Sequence, residues 1–180
     1  MRVVAGRFKG RRLRAPRGAR TRPTADRVRE AVFSILGDLS ETRVLDLYAG
    51  SGALGIEALS RGAATVVFVE RDARAASALR HNLDELGLEQ PIRRQDVLRF
   101  LARPEGTFDL VFADPPYDSA SRIAGSLSDA LPAVLSESAR IVTESDKRRP
   151  LELSLPLQVE RVYGDTRIAI HGAPDPPPRA

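Results

Sequence analysis

The sequence predicts an α/β domain built on a doubly wound, mostly parallel β-sheet. Two observations lead to this prediction. Short apolar runs typical of strands alternate along the chain with segments whose apolar residues recur at helical spacing. With 180 residues, of which 42% are hydrophobic, the chain is also long enough to bury one sizeable core. Strands separated by helices pair in parallel, since each helix returns the chain to the same end of the sheet.

The predicted domain begins with a basic hairpin. Short β-compatible runs around Gly6 and Gly10 favour a hairpin over residues 1–13, followed by a linker rich in Arg, Gly and Pro up to Pro23. Thr24 can cap a helix whose apolar residues recur at helical spacing up to Gly37. We therefore place a basic hairpin and linker at 1–23, the α/β domain at 24–171 and a disordered Pro-rich tail at 172–180.

The α/β domain is predicted to alternate strands with helices and to end in a hairpin. The strands are predicted at 43–48, 66–70, 92–95, 108–113 and 139–143, and the helices at 54–61, 73–86, 97–102 and 119–135. Two further β-like runs, 157–163 and 166–171, flank Gly164-Asp165, a dipeptide typical of two-residue hairpin turns. These runs should form an antiparallel hairpin at one edge of the sheet.

Positive charge is concentrated at the N-terminus. Residues 1–29 contain eleven Lys and Arg against one acid, whereas the other 151 residues carry seventeen bases and twenty-three acids. Such a patch favours a polyanion partner, because each neutralised phosphate releases condensed counterions. A solvated basic tail is the alternative.

Several classes of protein are excluded by composition. The chain has no cysteine, so a thiolate nucleophile, a disulfide framework and a cysteine zinc site are all excluded. Its two histidines, His81 and His171, are far apart and without a ligand cluster, and we expect no metal. No apolar stretch is long enough for a signal peptide or a membrane span, so we expect a soluble, cytoplasmic protein.

A glycine-rich loop follows the first predicted strand. Gly50, Gly52 and Gly55 form a G-x-G-x-x-G pattern that lets the backbone turn tightly and approach a ligand at a helix N-terminus. Glu70, twenty residues after Gly50, can accept hydrogen bonds from a ribose diol. This pattern alone fits a nicotinamide dinucleotide and any other adenosine cofactor equally well.

Two further acids bear on the choice of cofactor. Asp46, at the end of the first strand, could face a cationic amino-acid group and would repel a pyrophosphate, which favours S-adenosylmethionine over a dinucleotide. Asp96, after the third strand, could accept from the adenine amino group, although an Asp before Val97 is also a normal helix N-cap.

The segment Asp114-Pro115-Pro116-Tyr117 follows the strand 108–113. Two prolines make a rigid turn with free carbonyl groups, an acid can accept hydrogen bonds from an amine, and an aromatic ring can stack on a base. These properties suit chemistry on an exocyclic amine of a nucleobase. A proline-rich loop without a catalytic role is the alternative. Asp118 and Ser119 are better explained as caps of the next helix than as catalytic groups.

The order of these motifs resembles the class I, Rossmann-like, S-adenosylmethionine-dependent methyltransferases that modify nucleobase amines. Within them, the segments Arg2–Leu13 and Arg22–Phe33 resemble the RsmD family of bacterial guanine-N2 methyltransferases of 16S rRNA, and the similarity extends to His171. The resemblance implies a seven-stranded sheet, S-adenosyl-L-methionine as cofactor and 16S rRNA of an assembling small ribosomal subunit as substrate. We expect a monomer. The family varies between Asp and Asn at the position of Asp114, and the Pro-rich tail has no counterpart with a known role.

The resemblance and the motifs together assign a role to each candidate residue. The predicted catalytic residues are Asp114, Pro115, Pro116 and Tyr117. The predicted cofactor-binding residues are Asp46, Tyr48, Ala49, Gly50, Ser51, Gly52, Glu70, Arg71, Asp96 and Val97. The predicted substrate-binding residues are Arg2, Arg7, Lys9, Arg11, Arg12, Arg22, Thr24, Arg27 and Arg29.

Three alternatives remain at this point. An adenine-N6 DNA or RNA methyltransferase would use the same motifs, but 180 residues leave no room for a separate DNA-recognition domain. A nicotinamide-dependent reductase would leave Asp114 to Tyr117 unexplained. A non-catalytic RNA-binding module would explain the basic arm alone.

Overall fold

The computed structural model of the chain describes residues 1–16, 26–116 and 120–174. Its helices are α1 (Asp26–Leu36), α2 (Ala53–Ser60), α3 (Ala73–Leu86), α4 (Val97–Leu101) and α5 (Ala120–Ala130), with a 3-10 turn at Leu131–Val134. Its strands are β1 (Arg43–Leu47), β2 (Thr65–Val69), β3 (Ile92–Arg93), β4 (Phe108–Ala113), β5 (Leu135–Asp146), β6 (Leu157–Tyr163) and β7 (Thr166–Gly172). None of the helices formed by these residues is long and apolar enough to cross a membrane.

The strands form one seven-stranded sheet in the order β3-β2-β1-β4-β5-β7-β6. Neighbouring strands from β3 to β5 pair in parallel, whereas β7 runs antiparallel to both β5 and β6. The strand order reverses between β1 and β4, and ligands of open α/β sheets bind at the carboxyl ends of strands beside such a point. The predicted fold class is confirmed, including the terminal hairpin.

Some predicted boundaries differ from the structure. Strand β3 ends at Arg93 rather than at residue 95, and β5 is longer at both ends than the predicted 139–143. Gly172 lies within β7, and the Ala173 N–H donates to the Ala139 carbonyl at 3.0 Å, so these two residues belong to the sheet rather than to a tail. The rest of the predicted tail from 175 onward, and the predicted cap Thr24, lie outside the described residues.

The core has two layers, one on each face of the sheet. Buried residues of α1, α2 and α3 pack with Val44, Leu110, Phe112 and Val142 on one face. On the other face α4, α5 and the 3-10 turn pack on the alternate residues of the same strands. Because side chains alternate across a strand, this division tells which face each polar residue at the strand ends occupies.

Gly55 allows helix α2 to lie close to strand β2. A Cβ at Gly55 would overlap the Phe68 ring and stand 2.8 Å from the Val66 side chain, which no real side chain tolerates. The third glycine of the motif therefore serves helix–strand packing, and it holds the start of α2 at the carboxyl edge of the sheet.

The N-terminal segment forms a hairpin that is part of the core. The Val3 N–H donates to the Arg11 carbonyl and the Leu13 N–H to the Met1 carbonyl, and Val3 and Leu13 are buried. The predicted hairpin is thus present, and it packs against α1 and α2 rather than projecting as a tail. A Cβ at Gly6, whose φ is +79°, would overlap the Ser60 carbonyl, so this close approach requires glycine.

Glu57 of α2 anchors the hairpin. Its fully buried carboxylate accepts from the N–H groups of Val4 (2.7 Å) and Ala5 (2.9 Å) and pairs with Arg61 at 2.8 Å. Ser60, one turn on, accepts from the Phe8 N–H at 2.9 Å and donates to the Ala5 carbonyl. One helix face therefore satisfies the backbone of the hairpin.

Removing the Glu57 carboxylate should destabilise the whole domain. We expect Glu57→Ala to lower the free energy of unfolding by about 2–4 kcal/mol, because two N–H groups and one guanidinium lose their acceptor. Urea denaturation followed by far-UV circular dichroism measures the change. Glu85→Ala, at an exposed position of α3, is the matched control and should change stability by no more than about 0.5 kcal/mol. Equal effects of the two substitutions would contradict this anchoring role.

Candidate active site

The predicted cofactor residues and the acid-Pro-Pro segment meet at one edge of the sheet. Strands β3, β2, β1 and β4 are adjacent and parallel, so their carboxyl ends lie side by side. Each of these ends carries a predicted residue: Asp96 follows β3, Glu70 follows β2, the glycine loop follows β1 and Asp114 follows β4. Segments separated by up to 68 residues in sequence therefore form one site.

Glu70 holds the glycine loop in place. Its Oε2 accepts from the Gly50 N–H at 2.9 Å, and its Oε1 accepts from the Asp72 N–H at 2.7 Å. Each carboxylate oxygen has two lone pairs, so Glu70 keeps the capacity to accept from a ribose diol as predicted. The side chain connects the loops after β1 and β2, a role that the sequence did not indicate.

Asp46 lies beneath the start of α2. It is 2% exposed, and its Oδ2 accepts from the Gly55 N–H at 2.9 Å. Burial, reinforced by the charge of Glu70, raises the pKa of Asp46 from 3.8 to about 7, although the hydrogen bond from Gly55 opposes the shift. A cation nearby would favour the ionised form, so the site suits a positively charged ligand.

Tyr48 adopts a backbone conformation that is rare for its residue type. Its φ is +59°, in the left-handed region, and such strain is concentrated at functional sites. Burial and the neighbouring Asp96 carboxylate raise the pKa of Tyr48 to about 12, so its hydroxyl stays protonated at neutral pH. The loop conformation directs this partly exposed ring toward the ends of β2 and β3, where Arg71 and Asp96 lie.

Asp96 caps helix α4. Its Oδ1 accepts from the N–H groups of Leu98 (2.9 Å) and Arg99 (3.4 Å), which confirms the interpretation of Asp96 as an N-cap. Its Oδ2 lies 3.7 Å from the guanidinium of Arg71, in an exposed pair. The Asp96 side chain remains accessible, and its predicted contact with adenine stays a prediction. Val97 is buried, and its assignment to cofactor binding stays a prediction as well.

Asp114 lies one residue beyond β4 and is only partly exposed. Desolvation, with the charges of Glu144 and Asp46, raises the pKa of Asp114 well above its usual range. Pro115 is buried and Pro116 exposed, so the turn leads from the core to the surface. Tyr117, and with it Asp118 and Ser119, lie outside the described residues.

The hairpin presents its predicted RNA-contacting cations to solvent. Arg7, Lys9 and Arg12 are exposed, and the Arg7 guanidinium lies 4.4 Å from the centre of the Phe8 ring. Arg2 is exposed as well and pairs with Asp26. Since the hairpin backbone is anchored in the core, these charges are held at defined positions.

Three other predicted cations lie in different surroundings. Arg11 is exposed and donates to the Glu85 carbonyl of α3 at 2.8 Å, and Arg27 is exposed on α1. Arg29 is completely buried and donates to the Arg2 carbonyl and to Asp26. In the structure Arg29 therefore has a structural role, and its side chain is not exposed for the predicted contact with substrate. Arg22, like Thr24, is outside the described residues.

Sequence reasoning missed three buried polar residues near the site. Glu57 and Asn82 hold the hairpin, and Asn82 donates to the Ser51 carbonyl of the glycine loop at 2.9 Å. Glu144, 4% exposed, lies at the carboxyl end of β5. The sequence feature that could have indicated them is a polar residue inside an apolar segment, such as Glu57 within Leu54–Leu59. That pattern does not tell which residue the polar side chain contacts.

The sheet order, with a glycine loop after β1 and an acid-Pro-Pro turn after β4, defines the chain as a class I methyltransferase by fold. The model of the family described as "Conserved hypothetical protein 95" matches residues 1–171. The chain belongs to this family, and the predicted RsmD relationship is confirmed by the relatives below.

Similar proteins support this assignment over most of the chain. The putative rRNA methyltransferase YlbH of Bacillus subtilis is 40% identical in sequence, and the match covers 95% of this chain and 98% of the YlbH chain. The ribosomal RNA small subunit methyltransferase D of Haemophilus influenzae is 36% identical in sequence, and the match covers 84% of this chain and 81% of the Haemophilus chain. The structure of the putative methyltransferase yhhF from Escherichia coli superposes with a TM-score of 0.82 at 31% identity, covering 98% and 99% of the two chains.

The buried carboxyl of Asp46 should make stability depend on pH. Because its pKa is about 7 in the folded state and 3.8 ordinarily, the folded state binds more protons between these values. The free energy of unfolding should therefore decrease as pH rises from about 4 to about 7, by at most about 4 kcal/mol from this group.

Asp46→Asn keeps an acceptor for Gly55 and removes the charge. We expect urea denaturation at pH 5, 6.5 and 8 to show a weaker loss of stability with rising pH in the variant than in the wild type. Parallel pH profiles would show that Asp46 is ionised throughout and would contradict the shifted pKa.

Proposed function

We propose that the protein transfers a methyl group from S-adenosylmethionine to the 2-amino group of a guanine in 16S rRNA of the small ribosomal subunit. The observation that carries the proposal is the proximity of Asp114-Pro115 to the glycine loop and Asp46, across adjacent strands β4 and β1. Family membership supports methylation of ribosomal RNA. We expect the enzyme to act as a monomer in the cytoplasm.

The acidic residues at the carboxyl edge of the sheet suit S-adenosylmethionine. Asp46, Glu70 and Asp96 are acidic, which suits a ligand that carries a sulfonium, an ammonium and a ribose diol. A dinucleotide would bring its pyrophosphate close to the same carboxylates, at a cost in Coulomb energy. When bound, S-adenosylmethionine supplies a methyl group already activated by the positive sulfur.

The residues that would hold the cofactor lie in the loops after β1, β2 and β3. Asp46 would face the amino-acid group, Glu70 the ribose and Asp96 the adenine amine, with the backbone at Gly50 approaching the ligand. Tyr48, Ala49, Ser51, Arg71 and Val97 complete the proposed pocket.

Asp114 and the Pro115 carbonyl would orient the guanine amine. The lone pair of an exocyclic amine is delocalised into the ring, so two acceptors on its N–H groups help to direct it toward the methyl group. Alignment of this kind contributes on the order of 7–11 kcal/mol in well-oriented systems. We assign stacking on the base to Tyr117, worth about 1–3 kcal/mol. The base must first leave its own stack, which costs a few kcal/mol.

The hairpin would bind the RNA backbone while the base enters the site. Its exposed cations are carried by a hairpin that packs in the α1–α3 layer, as does helix α1 with the exposed Arg27. Phosphate contacts of this type add affinity without sequence preference. We assign Arg22 and Thr24 to RNA binding from the family resemblance alone.

Loss of the Asp114 carboxylate should strongly reduce methyl transfer and leave the affinity for the cofactor unchanged. We expect Asp114→Ala to reduce transfer of labelled methyl groups to small ribosomal subunits by at least about 100-fold, as general acid–base and orienting groups contribute about 10²–10⁴-fold. Calorimetric titration with S-adenosylmethionine should give an affinity close to that of the wild type. Undiminished turnover would remove Asp114 from this role.

Neutralising the hairpin cations should weaken RNA binding and its dependence on salt. For the triple variant Arg7→Gln, Lys9→Gln, Arg12→Gln we expect the slope of log K against log salt to decrease in magnitude by about 2–3, roughly one for each phosphate contact. Filter binding to 16S rRNA at several salt concentrations measures the slope. The matched control neutralises the exposed Arg99, Arg103 and Arg148. Equal slopes for the two triple variants would contradict a specific role of the hairpin.

A further inference from the structure

A row of carboxyl groups lies on one face of the sheet at its carboxyl edge. Phe112 pairs with Asp46 on β1 and with Val142 on β5, and Phe112 and Val142 both pack in the α1–α3 layer. Side chains two residues apart on a strand share a face, so Asp114 and Glu144 point into the same layer. Three adjacent strands, β1, β4 and β5, therefore each contribute one acid to this face.

Asp114 and Glu144 are neighbours across two parallel strands. Both follow directly the paired residues Ala113 and Thr143, and parallel strands lie about 4.8 Å apart. Glu144 is 4% exposed, whereas Asp114 is partly open to the site. The charge of Glu144 therefore acts on Asp114 through the protein interior, where water screens it little.

The charged groups around this pair come from several elements. Asp46 of strand β1 acts on Asp114, and Arg29 of helix α1 interacts with Glu144. Arg29 also interacts with Asp26 and with Glu57 of helix α2. Arg29 is the fully buried cation of this face among the described residues, and it interacts electrostatically with Glu144. Nothing in the described part of the chain accepts a hydrogen bond from its Nε. Arg29 therefore favours the ionised form of Glu144.

We propose that Glu144 is a positioning residue that makes Asp114 a better proton acceptor for the methylated amine. The inference rests on the proposed function. Transfer of the methyl group to nitrogen breaks the sulfur–carbon bond, forms the nitrogen–carbon bond and leaves the nitrogen positively charged with one proton too many. The Asp114 carboxylate takes that proton, the nitrogen recovers its lone pair, and Asp114 later releases the proton to water.

The negative charge of Glu144 favours this proton transfer because it raises the proton affinity of its neighbour. Burial and Asp46 act in the same direction, and the pKa of Asp114 is raised accordingly. Glu144 itself stays behind Asp114, on the side of β4 opposite to the glycine loop, since the strand order is β1-β4-β5. It acts on the reaction through Asp114 and needs no contact with substrate.

The test is the pH dependence of methyl transfer in Glu144→Gln, which keeps the shape of the side chain and removes its charge. We expect the acidic limb of the kcat profile to move to lower pH by about one unit, with a lower plateau and an unchanged KM for RNA. Glu144→Asp, which keeps the charge, should restore the position of the limb. Ser145→Ala is the matched control, because Ser145 is equally buried on β5 but faces the opposite layer.

An unshifted limb in Glu144→Gln, or the same shift in Ser145→Ala, would overturn the proposal. Carbon NMR of the carboxyl groups in the wild type gives a second test that needs no variant. We expect Asp114 and Glu144 to titrate together in biphasic curves, and independent single-step curves would overturn the coupling. If the wild type transferred no methyl group while the curves were biphasic, the proposed function would fail and the coupling of the two acids would stand.

Discussion

The burial of carboxyl groups at the carboxyl edge of the parallel sheet is the constraint on which the site depends. Asp46, Asp114 and Glu144 occupy neighbouring strands on one face, and Glu57 lies in the helix above it. Arg29 is the buried cation that partly compensates them in the described part of the chain. An excess of buried negative charge is costly unless a group protonates or a cation binds. A cationic cofactor would offset this charge, so under the proposed function the feature that costs stability would also favour binding of the ligand.

The same layer of the fold joins the hairpin to the glycine loop. Glu57 holds the hairpin backbone from α2, and Asn82 of α3 accepts from the Arg14 N–H at 2.8 Å while it donates to the Ser51 carbonyl. The hairpin and the glycine loop therefore share one packed unit. Deleting the hairpin would remove core residues such as Val3 and Leu13 together with its charges. Point substitutions of exposed cations would change RNA binding without changing the core. They can therefore distinguish an effect on RNA binding from an effect on folding, which a deletion cannot do.

Much of the fold and part of the site could be predicted from sequence. The bounds of α3 and β4 agree with the predicted 73–86 and 108–113, because long periodic helices and buried apolar strands carry strong local patterns. The common location of Asp46, Glu70, Asp96 and Asp114 at one edge could be predicted because parallel strands align their carboxyl ends, whereas their roles stay predictions. Glu144 was missed because its role depends on the pairing of β4 with β5, which no local pattern encodes. Arg29 was predicted to bind substrate, and its burial was not foreseen because composition alone does not reveal which arginine of a basic segment is buried.

We propose that this edge of the sheet methylates the 2-amino group of guanine in small-subunit RNA. To test this, small ribosomal subunits that lack this modification are incubated with the protein and S-adenosylmethionine. The RNA nucleosides are then analysed by chromatography. The account predicts a single new product, 2-methylguanosine. Formation of 6-methyladenosine would contradict the base that we assign, and the absence of any methylated nucleoside in subunits or naked RNA would contradict the proposed activity.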